Sequence, residues 1–141
     1  MSEHLILQKY RASNLFGANL NMDFAFDEND EVIYTMEISE NHLATPITAH
    51  GGAIAGMMDA LLGVKGLSLV ADEMKVVSTI EFKISYFHPA YKGDVLTGRA
   101  SVLKRGQRIL FIEGEIVNQK NELIAKGSGT FNAYDAIKVN Y

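Results

Sequence analysis

Cysteine is absent from the 141-residue chain, which excludes a disulfide framework, a thiolate nucleophile and a cysteine-built zinc site. The absence fits a reducing compartment, and the cytoplasm is the expected location. Basic residues are also scarce: 13 Lys and Arg stand against 17 Asp and Glu, a formal net charge of −4. Binding to nucleic acid or an anionic membrane surface would demand a concentrated basic face. Neither partner is expected, and any anionic ligand must be met locally. A secretory signal is likewise missing, because Met1 to Phe16 mixes His4, Lys9 and Arg11 with apolar residues and has no apolar h-region or small-residue cleavage site. There are two prolines, Pro46 in a loop and Pro89 at the end of a strand pattern. No internal repeat, low-complexity tract or linker divides the chain, so one domain over 1–141 is expected.

Apolar residues make up 48% of the chain, enough for a real core. An opening helix is expected from about Ser2 to Leu15 with Ser2 as its N-cap. Leu20, Met22, Phe24 and Phe26 then alternate with polar or small residues, as do Tyr34, Met36 and Ile38. This period of two predicts a hairpin turning at Asp27-Glu28-Asn29-Asp30. Ile80, Phe82, Ile84 and Tyr86 predict a third strand with those four side chains on one face. Further strands are expected at about Val95–Lys104, Ile109–Val117 and Leu123–Phe131, with turns at Arg105-Gly106-Gln107 and Gln119–Glu122. The fold class is α+β with an antiparallel sheet.

Between the second and third strands, Gly52 to Ala71 is mostly apolar, with Asp59 and Lys65 its only charges and glycines at 52, 56, 63 and 66. As a membrane span each charge would cost about 2.5 to 3.5 kcal/mol at the centre. A helix without a polar face is expected to be wrapped by the sheet or held in an interface. The glycines suggest close approach by a neighbouring element or ligand, or ordinary packing.

Asp59 has no Lys or Arg at i±3 or i±4, where Ala55, Gly56, Leu62 and Gly63 stand. Two readings stay open from the residues: a carboxylate that faces solvent or pairs with a distant cation, and a functional acid in a cleft. His50-Gly51-Gly52 opens the same helix. At about 100° and 1.5 Å per residue, nine residues turn Asp59 roughly opposite to His50 and separate them by roughly 13 Å. They cannot meet within one chain, so if they act together the simplest arrangement is a two-fold dimer. A lone histidine at a helix start is otherwise a cap or a packed side chain.

His50-Gly51-Gly52, Asp59 nine residues on, and Ser85-Tyr86-Phe87-His88-Pro89-Ala90 followed by Gly93-Asp94 together resemble hotdog-fold acyl-CoA thioesterases of the PaaI-like type. The resemblance spans about Asn19 to Phe131. It implies a sheet wrapped around the long central helix, here with an extra N-terminal helix, and a homodimer or dimer of dimers with active sites at the subunit interface. It implies hydrolysis of an acyl-CoA thioester, with coenzyme A as part of the substrate and no separate cofactor. By the same resemblance the Gly51 N–H polarises the thioester carbonyl and Gly52 adds to substrate binding. Asp59 from the partner is general base or nucleophile, and His50 orients the site or assists the leaving thiolate.

A Ser or Thr of the third strand is implied at Thr79, with Ser78 as the alternative. Strict alternation puts Thr79 on the face opposite Ile80, Phe82 and Ile84, so a bulge or loop is required, and a plain surface hydroxyl is the competing reading. The family often has an asparagine where this chain has Ala44, and Thr45 or Thr48 are candidate substitutes. Lys104, Arg105 and Arg108 form the densest basic cluster and are candidate phosphate contacts, or simply a solvated hairpin turn. No metal is expected, since His4, His42 and His88 lack ligand spacing. The alternative function on the same fold is a non-catalytic acyl-CoA-binding or regulatory module.

Overall fold

The computed structural model describes residues 3–141. The fold opens with two short helices, α1 (Leu5–Ser13) and α2 (Leu15–Asn19). The expected N-cap Ser2 lies outside the described residues. His4 caps α1 instead, its Nδ1 accepting from the Ile6 N–H at 3.1 Å. The expected single helix is broken because the Asn14 side chain accepts from the Gly17 N–H and starts α2, satisfying a donor that a helix start leaves free.

Six antiparallel strands follow around one long helix, α3 (Gly51–Val70). They are β1 (Met22–Phe26), β2 (Val32–Glu37), β3 (Lys75–Tyr86), β4 (Val95–Arg105), β5 (Ile109–Val117) and β6 (Leu123–Asp135). Their order across the sheet is β1-β2-β4-β5-β6-β3, leaving β1 and β3 at the edges. The β1–β2 turn forms where expected: Asp27 Oδ1 accepts from the N–H groups of Asn29 and Glu31 at 2.8 and 3.0 Å. This pulls the Asp27 carboxyl below its ordinary pKa, with Arg99 assisting.

The sheet curls over α3 and buries Met57, Met58, Leu61 and Leu62 completely, each contributing about 1.5–3 kcal/mol by leaving water. The strands make room for the helix with glycine. A Cβ on Gly98 would lie 2.8 Å from the Leu61 side chain, and one on Gly114 3.0 Å from Leu62. α3 is therefore long and apolar because it is the core. Lys65 is tolerated there because its ammonium reaches Glu31 at 2.7 Å.

β3 carries a correction to strict alternation. Thr79 pairs with Phe131 and Glu81 with Thr130, so Ile80 is a bulge with no partner of its own. Its side chain is 55% exposed instead of sharing a face with Phe82 and Ile84. Thr79 pairs with buried Phe131, whereas Phe82 and Ile84 pair with Gly129 and Gly127. All three partners lie on the helix-facing side of β6, which brings Thr79 to the helix.

Candidate active site

The first turn of α3 is held from three directions. His50 caps it, Nδ1 accepting from the Gly52 N–H at 2.7 Å. The His50 N–H donates to the His42 carbonyl at 2.7 Å, and the Ala49 N–H to the Ala90 carbonyl at 2.8 Å. The Tyr86 hydroxyl donates to the Gly51 carbonyl at 2.7 Å, and burial raises its pKa. With the cap on Gly52, the Gly51 N–H remains one of the donors that a helix start leaves without an internal partner, at the positive end of the dipole. Gly51 lies on a shallow depression of about 330 Å³ with Ile54, Tyr86, Phe87, His88 and Pro89. The Tyr86–Ala90 segment thus surrounds the helix start.

Asp59 lies elsewhere, in a cavity of about 510 Å³ between α3, the start of β3, the N-terminal helices and the last residues of the chain. Thr79 donates to Asp59 Oδ1 at 2.7 Å, so the bulge at Ile80 joins the two polar groups. Ser78 also lines the cavity, but the hydroxyl on Asp59 is that of Thr79. No cation pairs with Asp59 among the described residues.

Tyr10, Asn14, Phe16, Tyr134 and Tyr141 complete the cavity wall. Sequence reasoning missed all five. Tyr10 has its hydroxyl pushed up to about 12, first by burial and then by the negative charge of Tyr141 and Asp59. Asn14 before Leu15-Phe16 was the one local signal, a cap residue followed by apolar side chains. The cavity they share with Asp59 is assembled from distant parts of the chain and has no signature in the order of residues.

His50 and Gly51 share no cavity with Asp59 in one chain. Of the basic turn, Arg105 is engaged: it donates to the Leu69 carbonyl at 3.0 Å and pairs with Glu73, closing the C-terminal end of α3. Lys104 and Arg108 are exposed. Thr45 and Thr48 satisfy each other at 2.5 Å, and Thr45 Oγ1 also accepts from the Thr48 N–H. Both hydroxyls therefore have partners within the loop after Ala44.

Residues 48–125 match the sequence profile of the Thioesterase superfamily. The chain belongs to this family. Its structure resembles that of the Escherichia coli PaaI protein from the phenylacetic acid degradation operon, with a TM-score of 0.81, 22% identity, and 91% and 90% of the two chains covered. Streptococcus mutans smu.793, solved with bound acetyl CoA, has a TM-score of 0.69, 23% identity, and 82% and 90% coverage. Human acyl-coenzyme A thioesterase 13 is 29% identical over 102 residues, which is 71% of each chain. The curled sheet around α3 is the hotdog fold shared with the PaaI structure, and membership of the family makes the protein a thioesterase.

Proposed function

We propose that this thioesterase hydrolyses acyl-CoA to the free acid and coenzyme A at two equivalent sites of a two-fold dimer. Each site takes the Gly51 N–H from one subunit and Asp59 from the other. The observation that carries the reading is the division of labour along α3. Gly51 offers a free donor with no acid beside it, and Asp59 offers an acid held by Thr79 with no helix-start donor beside it. β3 is an edge strand of 12 residues whose outer backbone groups are available for pairing. Joining two copies along that edge continues the sheet and gives each Asp59 a route to the partner's helix start.

In this site the Gly51 N–H donates to the thioester carbonyl oxygen and stabilises the negative charge that develops there. Asp59 takes a proton from water as the oxygen attacks the carbonyl carbon. The tetrahedral intermediate then collapses, the C–S bond breaks, and the thiolate leaves and takes up a proton. Thr79 holds one carboxylate oxygen, leaving the other for the water. If Asp59 instead attacks the carbonyl carbon directly, an acyl-aspartyl anhydride forms and water releases the acid. Single-turnover hydrolysis in ¹⁸O water distinguishes the two, since attack by Asp59 with hydrolysis at its own carbonyl leaves label in the enzyme. The phosphates of CoA are assigned to Lys104 and Arg108, whose side chains are free to reach solvent, with Arg105 chiefly a helix-end contact.

A thiol-release assay over an acyl-CoA panel tests the reading. Wild type is expected to release CoA from at least one member, and Asp59→Ala to lower kcat by about 10²–10⁴-fold with an unchanged melting temperature. Tight binding of several acyl-CoAs without thiol release would replace hydrolysis by a binding function.

A further inference from the structure

Four polar or charged side chains are buried among the described residues: His42, Lys65, Asp94 and Asn118. Three of them answer to local needs. Lys65 pairs with Glu31, Asp94 accepts from the Tyr91 N–H and the Gln119 amide, and Asn118 accepts from the N–H groups of Lys120 and Glu122 in the β5–β6 turn. His42, 2% exposed, is bonded to the start of α3 itself.

Both ring nitrogens of His42 are occupied. Nδ1 accepts from the Ser39 N–H at 2.9 Å, and Nε2 lies 2.6 Å from the Leu20 carbonyl oxygen. A backbone donor on Nδ1 and a carbonyl on Nε2 require the neutral imidazole with its proton on Nε2. The ring thus ties the segment after β2 to the end of α2 and holds the backbone of residue 42 between them. That backbone is the base of a small hairpin: the His42 carbonyl accepts from the His50 N–H at 2.7 Å, and the Thr48 carbonyl from the Ala44 N–H at 2.9 Å.

The hairpin delivers His50, and His50 aims the donor. The Gly51 N–H lies in the planar peptide unit that joins the two residues, so the rotation of that plane sets its direction. The carbonyl of the same plane accepts from the Ala53 N–H at 3.0 Å, and the His50 ring accepts from the Gly52 N–H at 2.7 Å. The His50 N–H, held by His42, is the remaining fixed point.

We propose that His42 is a positioning residue for the reaction: its buried neutral imidazole locks the 42–50 hairpin so that the Gly51 N–H meets the developing oxyanion. The inference rests on the reading of Gly51 as the donor that polarises the thioester carbonyl. His42 touches no substrate and acts through His50 and the backbone. Without the ring, the Ser39 N–H and the Leu20 carbonyl lose their partner, and the hairpin shifts to find others. An oxyanion donor works because it is already aimed where the charge develops, and a displacement of about 1 Å in a catalytic geometry costs on the order of 10²-fold in rate.

The test is a double-mutant cycle on kcat, measured by thiol release with the full chain. His42→Asn keeps an acceptor near the Nδ1 position and loses the reach to Leu20, whereas His42→Leu loses both bonds. The first is expected to lower kcat by about tenfold and the second by about a hundredfold, within the 10²–10³ that removal of an oxyanion donor costs. KM and the calorimetric affinity for S-alkyl CoA thioethers should stay at their wild-type values. In the Gly51→Pro background there is no donor left to position, so the same substitutions should lower kcat no further. Equal losses in the two backgrounds overturn the inference, as does a wild-type kcat in both variants or a loss that falls on KM and thioether affinity instead. If melting curves show that His42→Leu does not fold, His42→Asn decides. A wild-type kcat in Gly51→Pro alone is a failure of the donor reading, distinct from the others, and the inference falls with it.

Discussion

At its first turn α3 is exposed, capped by His50 and steadied by Tyr86, with a backbone donor and no carboxylate. About two turns further on the same helix carries Asp59 in a cavity lined by small, aliphatic and aromatic side chains, with Thr79 on its carboxylate. In the proposed mechanism the first region stabilises a developing negative charge, and the second activates water and holds the acyl group. On that proposal each is half of a catalytic arrangement, and one rigid helix keeps the halves of a single chain apart.

The sharpest way to break the comparison is to remove the donor alone. Gly51→Pro deletes that N–H, yet proline suits the first helical position, and His50 already has the extended backbone that a following proline requires (φ −67, ψ 139). A Cβ on Gly51 would meet the Tyr86 ring only at 3.5 Å. Steady-state kinetics should show kcat lower by about 10²–10³-fold with the fold retained. Mixing Gly51→Pro with Asp59→Ala subunits should restore activity, because a hybrid dimer has one complete site. No recovery in verified hybrids would count against the shared site.

Thr79→Val is a smaller intervention on the acid side. Losing one hydrogen bond to the carboxylate should lower kcat by about tenfold; an unchanged rate would assign Thr79 to structure alone. Alkaline titration separates the regions by burial. Tyr10 is pushed up to about 12, and Tyr34, wholly buried, is also raised, chiefly by burial. The unfolded chain releases these phenol protons near pH 10, before the native chain does. Stability contributed by the neutral phenols is therefore full below pH 10 and falls as pH rises from about 10 toward 12. Absorbance and circular dichroism should show ionisation of these tyrosines coinciding with unfolding. The smallest effect is expected from Gly56→Ala, whose added Cβ would lie 3.4 Å from the Phe16 ring. Helix propensity favours alanine by about 0.8–1 kcal/mol, so the melting temperature should rise by a few degrees while the cavity narrows slightly.

Much of the fold was legible because it rests on local periodicity. The β1–β2 turn, the ends of β5 and the burial of α3 follow from alternation, turn residues and the lack of a polar helix face. Ile80 was misread for a physical reason: a bulge depends on the register against β6, and alternation within β3 carries no record of it. The break after Ser13 was missed because Asn14, a cap residue, interrupts an otherwise helical pattern. In the site, Asp59 stood out as an unpaired acid in an apolar helix. Tyr10 and Tyr141 did not, because nothing in their immediate neighbours marks a cavity wall assembled from the two ends of the sequence.

The sequence by itself determined that His50 and Gly51 point away from Asp59, since helical pitch converts nine residues into a nearly opposite direction whatever surrounds the helix. It also determined that α3 had to be enclosed, because a helix with only two charges and no continuous polar face has no side for water. Only the tertiary structure decided that Thr79 reaches Asp59 and that α1 and Tyr141 close its cavity. Those contacts depend on strand register and on packing between distant segments, whose free energy exists only once the chain has folded.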